Sequence, residues 1–144
     1  MRRPRSIGLR SCARTVTVID ASILGPLAVA DDPDGRRYRA RLGERRLSAP
    51  DFAPVEAVSM LRRVVRRGEI SVARASRAVA DLAALPIVLF PSAPFLNRIW
   101  ELRDNLTPYD AAYVALAEAL DVPLLTADAR LAGAGGIRCA VEVL

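Results

Sequence analysis

The chain contains no histidine and no lysine. Those two absences remove the commonest acid-base side chain, the imidazole ligands of zinc sites, the phosphate-loop lysine and any Schiff-base lysine. Cys12 and Cys139 are its only cysteines, and no C-x-x-C pair occurs, so neither a disulfide framework nor a thiolate zinc site is indicated. The cytoplasm is the expected compartment. Aromatic residues make up only 5% of the chain, and no apolar run is long enough to cross a bilayer, so no membrane partner is expected. No G-x-G-x-x-G opens a helix after the first apolar run, which argues against dinucleotide binding and leaves Gly133, Gly135 and Gly136 as turn residues.

What remains is an arginine-rich, alanine- and leucine-rich chain of 144 residues, 52% hydrophobic, of a length that suits one domain with one core. The formal charge of +5 comes from 21 arginines set against 16 acids. Guanidinium binds phosphate in a planar, bidentate fashion, so a polyanionic partner is consistent with this balance. Five of the arginines fall within residues 1–14, which show no apolar period and no signal-peptide core. This segment is expected to be a disordered basic arm, explained either by a start codon assigned too far upstream or by extra contacts to a phosphate-bearing partner.

Residues 15–144 read as a single domain in which strands alternate with helices. Val16 to Ile19 is a β-branched run ending at Asp20, followed by helical periodicity from Ala21 to about Ala30. Asp31-Asp32-Pro33-Asp34-Gly35 reads as a loop, and it does not fit a calcium-binding loop, because aligning Gly35 with the EF-hand glycine puts Ala30 and Arg41 at ligand positions. A short helix to Leu42 and a brief strand from Leu47 to Pro50 come next.

From Val55 the apolar residues Val55, Val58, Leu61, Val64 and Val65 are expected to face inward, with Arg62, Arg63, Arg66 and Arg67 on a solvated face. Gly68 should stop that helix. Ser71 should cap a second one with Val72, Ala75, Val79 and Leu82 inward, forming a helical hairpin of the kind that builds dimer surfaces.

Pro86 to Pro91 predicts a strand and Ala93 to Arg103 a helix. Thr107-Pro108-Tyr109-Asp110 supplies a cap, a first-turn proline and an acid at the start of an alanine-rich helix reaching Leu120. Val122 to Thr126 and Ile137 to Leu144 complete the strands. The expectation is a three-layer α/β/α fold around a mainly parallel sheet.

In such sheets ligands gather beyond the carboxyl ends of the strands, at the point where strand order reverses. Asp20 and Asp128 each follow a strand. Asp110 and Glu56 each lie near a helix start, where the dipole favours an anion, so all four can point into one pocket. Clustered carboxylates either rise in pKa or admit a cation, and hard oxygen donors select Mg²⁺ or Mn²⁺ over zinc. Such an ion can activate water against a phosphodiester without any imidazole. Asp51 reads as a cap for the Glu56 helix and is left out of the site. Arg98 and Arg103 are read as partners of Glu101 or Asp104, and Trp100, Tyr109 and Tyr113 as packing residues with base stacking as the rival.

Four motifs add to this. Val18-Ile19-Asp20-Ala21-Ser22, Ala49-Pro50-Asp51 with Val55-Glu56-Ala57, Leu106-Thr107-Pro108-Tyr109-Asp110-Ala111-Ala112-Tyr113, and Leu125-Thr126-Ala127-Asp128 occur in this order. From Val16 to Leu144 the chain resembles the PIN-domain ribonucleases, particularly the VapC toxins of bacterial toxin-antitoxin pairs. The resemblance implies a PIN-like fold, with Asp20, Glu56, Asp110 and Asp128 as metal-binding and catalytic acids and Ser22 and Thr126 as polar neighbours. It also implies Mg²⁺-dependent hydrolysis of single-stranded or loop RNA by metal-activated water, a homodimer, and a cognate antitoxin protein. Two alternatives remain: a non-catalytic RNA- or protein-binding module on this fold, and a structure-specific DNA nuclease.

Overall fold

The computed structural model describes residues 15–29 and 31–144. The expected basic arm, residues 1–14, and the expected helix end at Ala30 therefore lie outside the described residues.

Five strands form one parallel sheet: β1 (Val16–Ile19), β2 (Arg46–Pro50), β3 (Ile87–Phe90), β4 (Leu124–Thr126) and β5 (Val141–Val143), in the order β3-β2-β1-β4-β5. β1 pairs on one side with β2, Val18 opposite Ser48, and on the other with β4, Val18 opposite Leu124. The chain builds outward from β1 to β3, returns, and builds outward again through β4 to β5. The switch point thus lies between β1 and β4, directly below Asp20 and Asp128.

The helices are α1 (Ala21–Ala28), α2 (Pro33–Leu42), α3 (Ala53–Arg66), α4 (Val72–Ala84), α5 (Leu96–Glu101, preceded by a 3₁₀ turn at Ala93–Phe95), α6 (Pro108–Leu120) and α7 (Ala129–Ala132). With this strand order, the right-handed crossover rule assigns α1 to α4 to one face of the sheet and, after the reversal of direction beyond β3, α5 to α7 to the other. α1 packs on α2, α3 and α4, and α6 lies against β1, β2 and β4. Ala111 to Ala117 of α6 are all buried, so this helix runs through the core. Short alanine side chains let it lie close to the sheet, which a bulkier helix could not do. Among the described residues no helix is long and apolar enough to cross a membrane.

Three local expectations are corrected. Pro33, Asp34 and Gly35 are not loop but the first turn of α2, capped by Asp32, whose side chain accepts from the Gly35 N–H at 2.9 Å. The turn formers are first-turn residues here, and glycine is required because a Cβ at position 35 would lie 2.2 Å from the Pro26 carbonyl oxygen.

The buried stripe of α3 is Ala53, Ala57 and Leu61, while Val55 and Val58 are exposed; in α4 it is Ala78 and Leu82, with Val72 and Val79 exposed. Close approach of α3 and α4 to α1 selects the alanine faces. Val55, Val58 and Val79 instead line an open cleft with Leu85 and Leu89. Arg62, Arg63, Arg66 and Arg67 are exposed, as expected, and the last strand is only three residues long.

Candidate metal and nucleic-acid site

Asp20 follows β1 and caps α1, which makes its position doubly determined. Its carboxylate accepts from the Ser22 N–H at 3.0 Å and from the Ser22 hydroxyl. It is 6% exposed, and burial raises its pKa above the ordinary carboxylate value despite those hydrogen bonds and one from Thr126. A buried carboxylate with a raised pKa is one that gains from a nearby cation.

Ser22 and Thr126 link Asp20 to the next strand. The Ser22 hydroxyl lies 3.5 Å from the Thr126 hydroxyl and accepts from the Ala127 N–H at 2.8 Å. The Thr126 hydroxyl in turn accepts from the Asp128 N–H at 2.9 Å. A continuous polar chain therefore crosses the switch point from Asp20 to the loop that carries Asp128.

Asp128 caps the short helix α7, accepting from the Arg130 N–H at 2.9 Å. The Arg130 guanidinium closes on the same carboxylate, Nε at 3.0 Å from Oδ1 and Nη2 at 2.7 Å from Oδ2. Those bonds hold Asp128 below the ordinary carboxylate value. Asp110, in the first turn of α6, accepts from the Thr107 hydroxyl at 2.8 Å, and Thr107 accepts in return from the Asp110 N–H. Asp110 and Asp128 face one cleft of about 260 Å³ that is also lined by Asn105, Thr107 and Arg130.

Glu56, on α3, is held from the opposite side of the sheet. The Tyr113 hydroxyl of α6 donates to Glu56 Oε2 at 2.7 Å. Burial, and then that bond, push the phenol far above its ordinary value, so it remains a donor; the Glu56 and Asp20 charges act in the same direction. Phe52 fixes the Tyr113 ring edge-on at 5.5 Å between centroids, and Tyr109 likewise at 5.4 Å.

The structure thus brings together Asp110 with Asp128, and Glu56 with Asp20 around Tyr113, but it does not gather all four acids into one closed cage. Among the described residues, no three acidic or cysteine side chains converge closely enough to hold a metal ion. The physical reason is visible in the partners: Ser22, Tyr113, Thr107 and Arg130 each hold one carboxylate, which separates four like charges. In donor chemistry the set fits a hard divalent cation, being made only of oxygen ligands. Arg130 supports this fit, because a cationic group already rests on Asp128.

Other site expectations change. Asp51 is not a helix cap; it accepts from the Ser92 hydroxyl at 2.6 Å, and the N-cap position of α3 is held by Phe52, which makes no side-chain capping bond. Arg98 does pair with Glu101, but its main partner is Glu118, at 2.8 Å from Nε, with Nη2 also donating to the Gly136 carbonyl. It braces α5 against α6. Trp100 and Tyr109 are exposed, whereas Tyr113 alone of the three is buried. Arg130 and the hydroxyl of Tyr113 are the site groups that the sequence did not single out. The signal for Arg130 was a basic residue two positions beyond a helix-capping acid.

A parallel α/β/α domain with acids disposed around its switch point defines a class of proteins that handle charged ligands above the sheet. The family is more specific: residues 17–137 match the PIN domain, and the chain belongs to the PIN-domain family. It is similar to Ribonuclease VapC1 of Mycobacterium tuberculosis, 40% identical over 135 residues, covering 88% of this chain and 99% of that one. Among solved structures, PAE2754 from Pyrobaculum aerophilum matches with a TM-score of 0.65 and 25% identity, covering 97% of this chain and 93% of its own. VapC20 of Mycobacterium tuberculosis, described as a sarcin-ricin loop cleaving toxin, shares the fold with a TM-score of 0.64 and 14% identity, over 85% of this chain and 96% of its own.

Proposed function

We propose that this chain is a divalent-metal-dependent endoribonuclease, the toxin of a VapC-type toxin-antitoxin pair, acting on RNA in the cytoplasm. The observation that carries the reading is Asp20, a buried carboxylate joined through Ser22 and Thr126 to the Asp128 loop at the switch point. Kinship with named ribonucleases over nearly the full chain supplies the substrate class.

Asp20, Asp110 and Asp128 would hold Mg²⁺, or Mn²⁺ in its place. A bound ion of this type acidifies a water and neutralises charge on the phosphate. Glu56, held by Tyr113, orients the attacking water and takes its proton. Ser22 and Thr126 keep the two strand ends in register. A cognate antitoxin restrains the activity, and a homodimer is the working unit, its contact covering apolar surface such as the Val55, Val58 and Val79 cleft.

The test is cleavage of total cellular RNA by the purified, antitoxin-free protein, with and without Mg²⁺, beside Asp20→Asn and Asp110→Asn. Discrete fragments that need the metal and both acids are expected. Cleavage at the parental rate by either variant would refute the site; no cleavage by the folded, metal-replete parent would refute the nuclease.

A further inference from the structure

Arg130 stands at the rim of the carboxylate cleft, and the fold does not depend on it. Its side chain is 91% exposed, and its guanidinium forks onto both oxygens of Asp128. Asp110 also acts on its charge across the cleft. Among the described residues, Arg98 is locked by Glu118, Glu101 and the Gly136 carbonyl, and Arg103 lies 4.9 Å over the Trp100 ring. Arg130 is the guanidinium that lines the cleft itself.

Two physical facts bear on what it does there. A planar guanidinium that fits a carboxylate bidentately fits a phosphate in the same way. An exposed ion pair is weakly held, so it yields to a stronger competitor for the carboxylate, and a divalent cation is one. Such a cation would also repel the guanidinium from its former position and leave it facing the open cleft.

We propose that Arg130 is a two-position residue: it covers Asp128 in the metal-free chain and, once a divalent cation takes that carboxylate, turns to a non-bridging oxygen of the RNA backbone. The inference rests on the metal-dependent nuclease reading above. It gives Arg130 opposite effects on two ligands. Without RNA it competes with the metal; with metal bound it holds the substrate.

The experiment has two arms. Mn²⁺ is titrated calorimetrically, without RNA, into the parent, Arg130→Ala, Arg130→Lys and Asp128→Asn proteins. A mixed-sequence single-stranded RNA of about 16 nucleotides, the upper end of the range contacted by one small domain, is then titrated in saturating Mn²⁺ at several salt concentrations in a Glu56→Gln background, with and without Arg130→Ala. Glu56→Gln keeps the RNA intact, which a gel verifies.

Arg130→Ala should bind Mn²⁺ more tightly than the parent, whereas Asp128→Asn should bind it more weakly. RNA should bind the double variant about tenfold more weakly, as expected for one lost charge-assisted contact. The slope of log affinity against log salt should fall by about 0.7, the value for one phosphate contact on a single strand. Arg130→Lys, which keeps the charge without the fork, should lie between. Unchanged RNA affinity and slope would overturn the proposal, as would weaker Mn²⁺ binding by Arg130→Ala. Parental Mn²⁺ binding by Asp128→Asn would instead overturn the metal site on which it rests.

Discussion

Replacing Asp20 with Asn should make the metal-free protein more stable at neutral pH while abolishing its response to metal. Asp20 is 6% exposed, and burial raises its pKa above the unfolded value of about 3.9. The folded state therefore holds this proton more tightly than the unfolded chain does. The associated stability is fully present below the unfolded pKa and is lost as pH rises through the folded one. At pH 7 the ionised group opposes folding.

Asn removes the charge yet preserves the local geometry, since its side-chain oxygen can still accept from the Ser22 N–H and Asn caps a helix as well as Asp does. The metal contribution has the opposite sign. An ion at a hundred times its dissociation constant stabilises the parent by about 2.7 kcal/mol, or roughly 5–11 °C in melting temperature for a domain of this size. The variant should gain little of that.

The assay is thermal unfolding followed by circular dichroism, in EDTA and in excess Mg²⁺, at pH 7 and again near pH 4. Asp20→Asn should melt above the parent in EDTA at pH 7, and the gap should shrink on acidification. A variant that melts below the parent in EDTA, or that gains as much from Mg²⁺, would refute the argument.

Tyr113→Phe keeps the ring against Phe52 but removes the donor to Glu56, so kcat should fall about tenfold with KM little changed, and stability by about 1 kcal/mol; steady-state cleavage and denaturant melts check both. Glu118→Gln should cost about 2 kcal/mol at pH 7, because Glu118 is 12% exposed and takes two guanidinium bonds from Arg98 and one from the Arg138 N–H. Burial pushes the Glu118 pKa up, but those bonds and the Arg98 charge outweigh it and leave the group below its ordinary value. Its stability is present above the unfolded pKa and is lost as pH falls through the folded one, so urea melts of variant and parent should converge in acid. Gly35→Ala places a methyl group 2.2 Å from the Pro26 carbonyl oxygen and should destabilise the fold by about 3 kcal/mol, read in the same melts.

Much of this architecture is legible in the chain because strands and site coincide in sequence. β1, β3 and β4 are short apolar runs followed by Asp20, Pro91 and the Ala127-Asp128 pair, β2 is marked by Leu47 to Pro50, and the parallel direction of the strands follows from the intervening helices. Helix packing was harder to read. Val55, Val58, Val72 and Val79 look like core residues by size, yet α1 is met by Ala53, Ala57 and Ala78, since helices in close contact bury their smallest side chains. Gly35 reads as a loop residue until the Pro26 carbonyl is placed beside it. The four acids were expected at one site from their positions at strand and helix ends and from the motifs around them, but their individual partners were not legible. Tyr113 reaches Glu56 across 57 positions, and no local pattern encodes such a contact.

The burial of α6 bears on how the protein can lose its site. Ala111 to Ala117 are all enclosed, and Asp110 immediately precedes them on the same helix. Amides in that stretch should exchange with solvent only when the whole domain opens, at the upper end of the protection scale. Partial fraying of α4 or of the β5 edge leaves Asp110 where it was. Asp110 consequently leaves its place only when the domain as a whole opens.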